Sequence, residues 1–347
     1  MKRYSIFLAA ILVLFTILVS ACSGNATTSA SPTPTTTAPV TTPIVKVDNI
    51  RLIGTIGPMA IPLAYMAENN VLSSVANKTT FSVWATPTQL QAIIAGGQGD
   101  FVSLPSNSAA TYYNKGVSLR YLDNSIWNIL YLVTSDPNIK SVKDLKGKTV
   151  SVPYQGAVPD AMFQSLCKQA GMDPAKDLTI FYTPDPVQAS QRLLTGQDAY
   201  VLLSEPSATS AIEKGKSTGT TYFRAFSMAN EWNKTSASKT TPIAGTVVMG
   251  DLKNRPEIVK VFVTEYAKAV QWMLANPADA GQVGARALAD QGFTAPILTE
   301  SMQNIDWRYQ SSADVRPDLE AFFNTLSLVS PNFIGGKLPD DGFYYKP

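Results

Sequence analysis

From residue 49 onward the apolar positions alternate between two spacings. Short apolar runs of roughly four to eight residues read as strands, and longer runs with apolar groups three and four apart read as helices. Strands are predicted at 49–56, 81–84, 101–104, 119–122, 129–134, 149–152, 178–182, 199–203 and 244–249. Helices are predicted from Gly57-Pro58 through Tyr65 to Asn70, then at 88–95, 109–113, 159–169, 186–194 and 206–214. Ser106-Asn107-Ser108 has the composition of a helix N-cap. Residues 220–241 are less regular, with Trp232 among polar neighbours. Asn254-Arg255-Pro256 then opens a helix to about Leu274, striped by Ile258, Phe262, Tyr266, Val270 and Met273. Further helices are predicted at 278–291, 297–304 and 317–328. Alternating strand and helix argues for an α/β fold of open, mainly parallel sheets with right-handed crossovers. The helical C-terminal part should cover a sheet built earlier.

The pattern repeats. Residues 86–109 read TPTQLQAIIAGGQGDFVSLPSNSA, and residues 183–208 read TPDPVQASQRLLTGQDAYVLLSEPSA. Thr86-Pro87 recurs at Thr183-Pro184, Gly97-Gln98 at Gly196-Gln197, Asp100 at Asp198, and Ser108-Ala109 at Ser207-Ala208. Offsets stay between 97 and 99 residues, as expected of one α/β unit used in two lobes. About 300 residues follow the N-terminal region, more than one core usually holds, which also favours two lobes. An economical arrangement has 47–127 plus 247–347 as the first lobe and 128–246 as an inserted second one.

The N-terminus sets the expected address. Lys2 and Arg3 precede an uncharged, mostly apolar run to Val19, followed by Val19-Ser20-Ala21-Cys22. A basic start, an apolar core and small residues before a cut site are the marks of a secretory signal. A transmembrane anchor is the alternative, since the run approaches the ~18 residues that span a bilayer. Val-Ser-Ala-Cys resembles a bacterial lipobox, which implies a signal over 1–21 and a lipid, such as palmitate, on Cys22. Residues 23–46 are Ser, Thr, Pro, Ala and Val in the main, with no aromatic or acidic group, and read as a flexible tether.

Composition then removes function classes. Loss of Lys2 and Arg3 leaves 26 basic against 26 acidic residues, so no electrostatic footprint for nucleic acid exists. The chain has no histidine, which excludes Ser-His-Asp and Cys-His catalysis and most zinc sites. No metal and no cofactor are expected. With Cys22 lipidated, Cys167 has no partner for an intramolecular disulfide and reads as a small buried apolar group. Gly215-Lys216-Ser217-Thr218-Gly219 matches a nucleophile elbow in letters only, because a helix precedes it and no histidine exists. Gly147-Lys148-Thr149 lacks the glycine five residues earlier that a phosphate loop needs.

Candidate chemistry lies at the strand-to-helix turns, where open α/β sheets bind ligands. In the first lobe these carry Gly57, Pro58 and Met59, then Trp84 and Thr86, then Ser106 and Asn107. In the second they carry Tyr154, Gln155 and Gly156, then Thr183 and Asp185, then Ser204 and Glu205. Capping or packing is the plain alternative for each. Two facing lobes would gather all six turns around one cleft. Trp127, with Trp84, Tyr154 and Tyr182, is near enough to stack on a planar group, while Asp185 and Glu205 could accept from ring or amino nitrogens. No Arg or Lys stands in these turns, which weakens a charge-paired anion site.

Together, the lipobox, the tether, Gly57-Pro-Met-Ala-Ile-Pro, Leu104-Pro-Ser-Asn-Ser-Ala, Asp144-Leu-Lys-Gly-Lys-Thr-Val, Gly196-Gln-Asp-Ala and Ser204-Glu-Pro resemble the substrate-binding lipoproteins of ABC transporters. The branch resembled is the nitrate/sulfonate/taurine type, related to thiamine-pyrimidine binders. The resemblance covers about 46–330. It implies a two-lobed type II periplasmic-binding-protein fold with two hinge crossings, closure on a small ligand, and delivery to a membrane permease with its ATPase. It also implies an extracytoplasmic, monomeric protein that binds a sulfonate, nitrate, a pyrimidine or another heteroaromatic. Ser204-Glu205-Pro206 departs from the Pro-Glu-Pro or Trp-Glu-Pro of many relatives. A lipid-tethered sensor or adhesin using the same cleft stays open. A thiamine-pyrimidine-synthase-like enzyme is disfavoured, since that chemistry consumes a histidine.

Overall fold

Strands and helices alternate from Val47 onward and close onto two sheets, each with the same internal order. The computed structural model describes residues 44–236 and 239–346; Cys22, the signal and most of the tether lie outside them. The first sheet opens with β1 (Val47–Thr55), α1 (Ala60–Glu68), β2 (Ala76–Trp84), α2 (Pro87–Ala95), β3 (Phe101–Pro105), α3 (Ser106–Asn114) and β4 (Leu119–Asn128). The chain then enters the second sheet through β5 (Leu130–Thr134), β6 (Thr149–Pro153), α4 (Val158–Gln169), β7 (Thr179–Thr183), α5 (Pro186–Leu194), β8 (Val201–Ser204), α6 (Ser207–Ser217), β9 (Phe223–Ser227) and α7 (Met228–Thr235). It returns with β10 (Ala244–Met249) and finishes in α8 (Pro256–Ala275), α9 (Pro277–Ala287), α10 (Ala295–Ser301), β11 (Asp306–Ser311) and α11 (Ser312–Ser327).

The sheet orders are β11-β4-β10-β3-β1-β2 and β7-β6-β8-β5-β9. Stripped of its edge strand β11, the first is the second again, with β10 standing where β5 stands. Both sheets are mixed, not mainly parallel: β1 pairs in parallel with β2 and β3, and β6 with β7 and β8, while β5, β10 and β11 pair antiparallel. The reason is the route. β4 ends at the carboxyl edge of its sheet, so the chain meets the second sheet at that sheet's carboxyl edge and β5 must run backwards, Leu130 opposite Ser204. The return does the same, with Ala244 opposite Pro105.

The sequence repeat is the α2-β3-α3 unit and its counterpart α5-β8-α6. Its matched aspartates are anchors at the far end of the sheets. Asp100 holds the Arg51 guanidinium at 2.6 Å and the Arg51 N–H at 2.8 Å; Asp198 holds Arg192 at 2.5 and 3.0 Å and also accepts from Ser151. The Thr-Pro pairs are not equivalent. Thr86 caps α2 with Pro87 in its first turn, and the structural counterpart is Asp185 followed by Pro186.

Two segments differ from the sequence pattern. Residues 220–241 contain β9 and α7, whose Trp232 packs its ring 5.0 Å from Phe322. β11 is a polar edge strand, paired only to β4, where no strand was predicted. Ser106, Asn107 and Ser108 lie inside α3, and no side chain caps that helix. The long helix α8 behaves as predicted: Ile258, Phe262, Tyr266, Val270 and Met273 are buried, and Phe262 stacks 3.8 Å from Phe101 on β3. Cys167 is buried in α4, and burial pushes its thiol up to about 12, so it is an unreactive core group. Ser217 closes α6 and donates to the Lys214 carbonyl on the exposed surface, with none of the features of a nucleophile.

Candidate functional site

Helix α1, helix α3, helix α4 and helix α6 all begin where a strand ends, so their N-termini gather at the carboxyl edges that face each other. Between those edges is a small cavity of about 70 Å³. Gly57, Pro58, Met59 and Trp84 line one side, and Tyr154, Ser204 and Glu205 the other. The remaining wall is aliphatic, from Leu104, Ile126, Ile129, Leu130, Val158 and Ile243 among others. The sheets approach closely here: a Cβ on Gly57 would lie 3.9 Å from the Glu205 carbonyl oxygen. Beside the cavity runs a larger groove of about 610 Å³ between α2 and α3, roofed by residues 154–157. Trp84, Pro105 and Tyr154 line both spaces.

Tyr154 is the most constrained residue of the site. It carries a positive φ of 58°, which a side chain other than glycine's rarely adopts. Outliers of this kind persist where surrounding bonds over-determine them. Here the Tyr154 hydroxyl donates across the gap to the Ala85 carbonyl at 3.1 Å, and its ring lies 5.8 Å from that of Trp84. Burial raises the Tyr154 pKa, so the hydroxyl keeps its proton as a donor. Two residues on, Gly156 takes φ +80°. Its N–H donates to Asp160 at 2.8 Å, and its carbonyl accepts from Asn107 of α3 at 3.1 Å. Asp160 is fixed in turn by the Tyr182 hydroxyl at 3.0 Å and Gln164 at 2.7 Å. Two hydrogen bonds thus tie the 154–156 turn to the opposite sheet's elements.

Glu205 is fully buried and fully engaged. Its Oε1 accepts from Arg224 Nε and Nη2 at 2.8 and 2.6 Å, and its Oε2 from the Thr209 hydroxyl and N–H at 2.7 and 3.1 Å. Burial raises its pKa, and the Arg224 charge and the Thr209 bonds offset part of that rise. Glu205 therefore has no carboxylate oxygen left for a ligand, and its charge and that of Arg224 offset one another. That pairing had no signal in the sequence, because Arg224 sits in the segment that looked irregular.

The other candidates divide. Gln155 and Gly156 line the groove with Tyr154. Ser106 is buried and donates to the Pro242 carbonyl at 2.6 Å, holding α3 against the returning chain. Asn107 is buried and bridges Gly156 and Phe333, with its Oδ1 unpartnered. Thr86 and Asp185 serve as helix caps, and Thr183 bonds the Asp185 carbonyl; none of the three lines either space. Trp127 also lies outside both: its Nε1 donates to the Arg308 carbonyl and the Arg308 guanidinium stacks 4.3 Å from its ring. Trp127 faces β11, a strand the sequence pattern did not reveal. Aliphatic strand ends such as Ile126, Ile129 and Ile243 form much of the wall, and nothing distinguished them from core positions beforehand.

The sequence matches the family described as NMT1/THI5 like over residues 83–280, more than half of the chain. The chain belongs to the NMT1/THI5-like family. Solved structures share its fold. An ABC transporter protein from Parabacteroides distasonis superposes with a TM-score of 0.68 at 20% identity, covering 86% of this chain and 98% of that one. The periplasmic aliphatic sulphonate-binding protein of Escherichia coli does so at 0.68 and 15%, covering 86% and 92%. The periplasmic nitrate-binding protein of Synechocystis gives 0.62 and 13%, covering 82% and 86%. No curated protein matches the sequence. This NMT1/THI5-like chain thus has the two-lobed type II periplasmic-binding-protein fold, with its crossings at residues 128–130 and before Ala244.

Proposed function

We propose that this NMT1/THI5-like protein is the extracytoplasmic solute-binding component of an ABC importer. It would capture a small organic ligand between its lobes by hinge closure and deliver it to a membrane permease with its ATPase. One observation carries the reading most: opposed strand-to-helix turns from two sheets of the same order face one another and are tied across by Tyr154 and Asn107. Contacts of that kind exist only when the lobes are together, which is what a ligand-driven closure requires. The fold shared with sulfonate- and nitrate-binding proteins supports the same role.

In this reading 47–127 with 247–347 forms one lobe and 128–246 the other. The site comprises Gly57, Pro58, Met59, Trp84, Tyr154, Gln155, Gly156, Ser204 and Glu205, with Ser106 and Asn107 as its framework. Cys22 carries the lipid and residues 23–46 form the tether, placing the lobes outside the cell membrane. Function is binding without catalysis, in keeping with the absence of histidine. The test is a thermal-shift panel of sulfonates, nitrate and pyrimidines, followed by small-angle scattering with the best ligand. A ligand at 100 times its Kd adds about 2.7 kcal/mol of stability. Stabilisation with a smaller radius of gyration supports the reading; stabilisation at unchanged radius removes hinge closure from it.

A further inference from the structure

The chain crosses between the sheets from β4 to β5 and again before β10, so the edge strands β2 and β7 stand farthest from both crossings. Each is three strand spacings from the nearest crossing strand, a lever of roughly 14 Å. At that far end a small apolar core sits apart from the main one. Its buried members are Ile56 just after β1, Ala60 at the start of α1, and Leu288, Phe293 and Leu298 from the α9–α10 hairpin. All five belong to the first sheet's side. Val187, in the first turn of α5 on the second sheet's side, packs half-buried against them. Ala85, packed on the same core, also accepts the Tyr154 hydroxyl bond at 3.1 Å. Helix α10 lies against α6 as well, and the Glu300 charge on α10 acts on Lys216 of α6. The hairpin is firmly seated on its own sheet. Thr299 donates to the Ala295 carbonyl at 2.8 Å and to the Pro277 carbonyl at 3.2 Å, which joins α10 to α9. Arg286 on α9 pairs with Glu68 on α1 at 2.7 Å. The core therefore moves with the first sheet, while Val187 moves with the second.

We infer, resting on the two-lobed closure of the solute-binding reading, that Val187 and the 288–298 turn form an apolar latch that holds the cleft shut through the chain's own contacts. Opening about the crossings draws Val187 off this core and returns apolar surface on both sides to water, which is unfavourable. Because the contact stands at the longest lever, it parts early in an opening motion. Packing such as Trp232 on Phe322, between α7 beside the second crossing and α11, can persist. Latch strength then sets the fraction of time the cleft stands open, and with it the rate at which a ligand enters.

The test needs no ligand: the full chain without its signal is compared with its variants by hydrogen exchange and small-angle scattering. Val187→Ala removes about one buried methylene's worth of contact from a half-buried side chain and should speed exchange across 288–298 about fourfold. Val187→Asp sets a carboxylate against that core and should speed it by more than about tenfold, with a larger radius of gyration. An acid in the first turn of α5 suits the helix dipole, so the helix itself is kept. Val187→Ile retains the contact and should match the wild type. Gln191→Asp, exposed on the same helix, adds the same charge away from the core and should change neither readout. Exchange in α8 should stay the same throughout. Wild-type radius and exchange in Val187→Asp overturn the inference. Faster exchange that extends equally to α8 does so too, because it marks lost packing and not opening, as does a Gln191→Asp protein that opens as far. The two readings fail separately: a latch that opens on substitution while no compound of the panel binds removes the solute-binding reading alone, and a compacting ligand with an unmoved latch removes the latch alone.

Discussion

Replacing Asp123 with Asn changes one atom in a fully buried carboxyl group on β4, the strand that leads into the first crossing. Burial is the main cause that pushes its pKa up to about 7 from the ordinary 3.8; bonds from Thr246 and Ser125 pull it down only in part. Among the described residues no cation pairs with it. The groups facing it are Thr246 on β10, Ser125 on its own strand, and the phenols of Tyr121, Tyr266 and Tyr309. The sign is the reverse of a salt-bridged acid. Between pH 4 and pH 7 the folded chain holds a proton that the unfolded chain has released, so stability falls as pH rises through that window and the loss is complete above it. Each pKa unit is about 1.4 kcal/mol, and the shift therefore corresponds to a penalty on the order of 4 kcal/mol at pH 8. Asn keeps the shape, accepts one of the hydroxyl bonds and carries no charge. Urea unfolding of both proteins from pH 4 to pH 8.5 should show near-equal stability at pH 4 and an advantage for Asp123→Asn of a few kcal/mol at pH 8. A difference between the two proteins that does not change with pH would refute this reasoning.

Three further outcomes follow from the same packing. Arg224→Met strands the buried Glu205 carboxylate and should cost roughly 3–5 kcal/mol by urea unfolding at pH 7; the loss should shrink in the double variant with Glu205→Gln, and an unshrunken loss would count against the pairing. Tyr154→Phe removes the bond to the Ala85 carbonyl, worth about 1 kcal/mol, and should weaken ligand binding about fivefold in titration calorimetry; an unchanged affinity would show that the bond does not favour the closed form. Gly245→Ala would place a Cβ 1.7 Å from the Asp123 carbonyl oxygen, so β10 and β4 cannot keep their spacing, and a soluble variant with wild-type melting would contradict that pairing.

Much of the α/β order was visible along the chain because strand and helix leave different apolar spacings. The stripe of α8, the strand 244–249 and the paired α2-β3-α3 and α5-β8-α6 units needed no tertiary information, since α8 keeps a helical apolar stripe and the strands β3, β8 and β10 are short, almost wholly buried apolar runs. β9, α7 and β11 were not visible. Their burial comes from neighbours far along the chain: Trp232 is covered by Phe322, and β11 pairs with β4 while its Tyr309 ring lies 6.3 Å from that of Tyr266. The mixed sheets were equally hidden, because strand direction depends on the edge at which the chain arrives and not on side-chain period.

The turns that carry Gly57, Trp84, Tyr154 and Glu205 could be named from the sequence, since glycine, aromatic and acidic residues stand where strands end. What each side chain does there was decided by the fold. Glu205 looked like a ligand acceptor and is consumed by Arg224; Trp127 looked like a stacking platform and packs under β11. The repeated aspartates marked a duplicated α/β unit in the sequence and serve as arginine anchors at the far end of the sheets. Sequence determined which residues arrive at the carboxyl edges, because local propensity places turns. Only the packed structure decided which of them still have an unsatisfied surface to offer, because a charge or a ring is spent by whichever neighbour reaches it first in space.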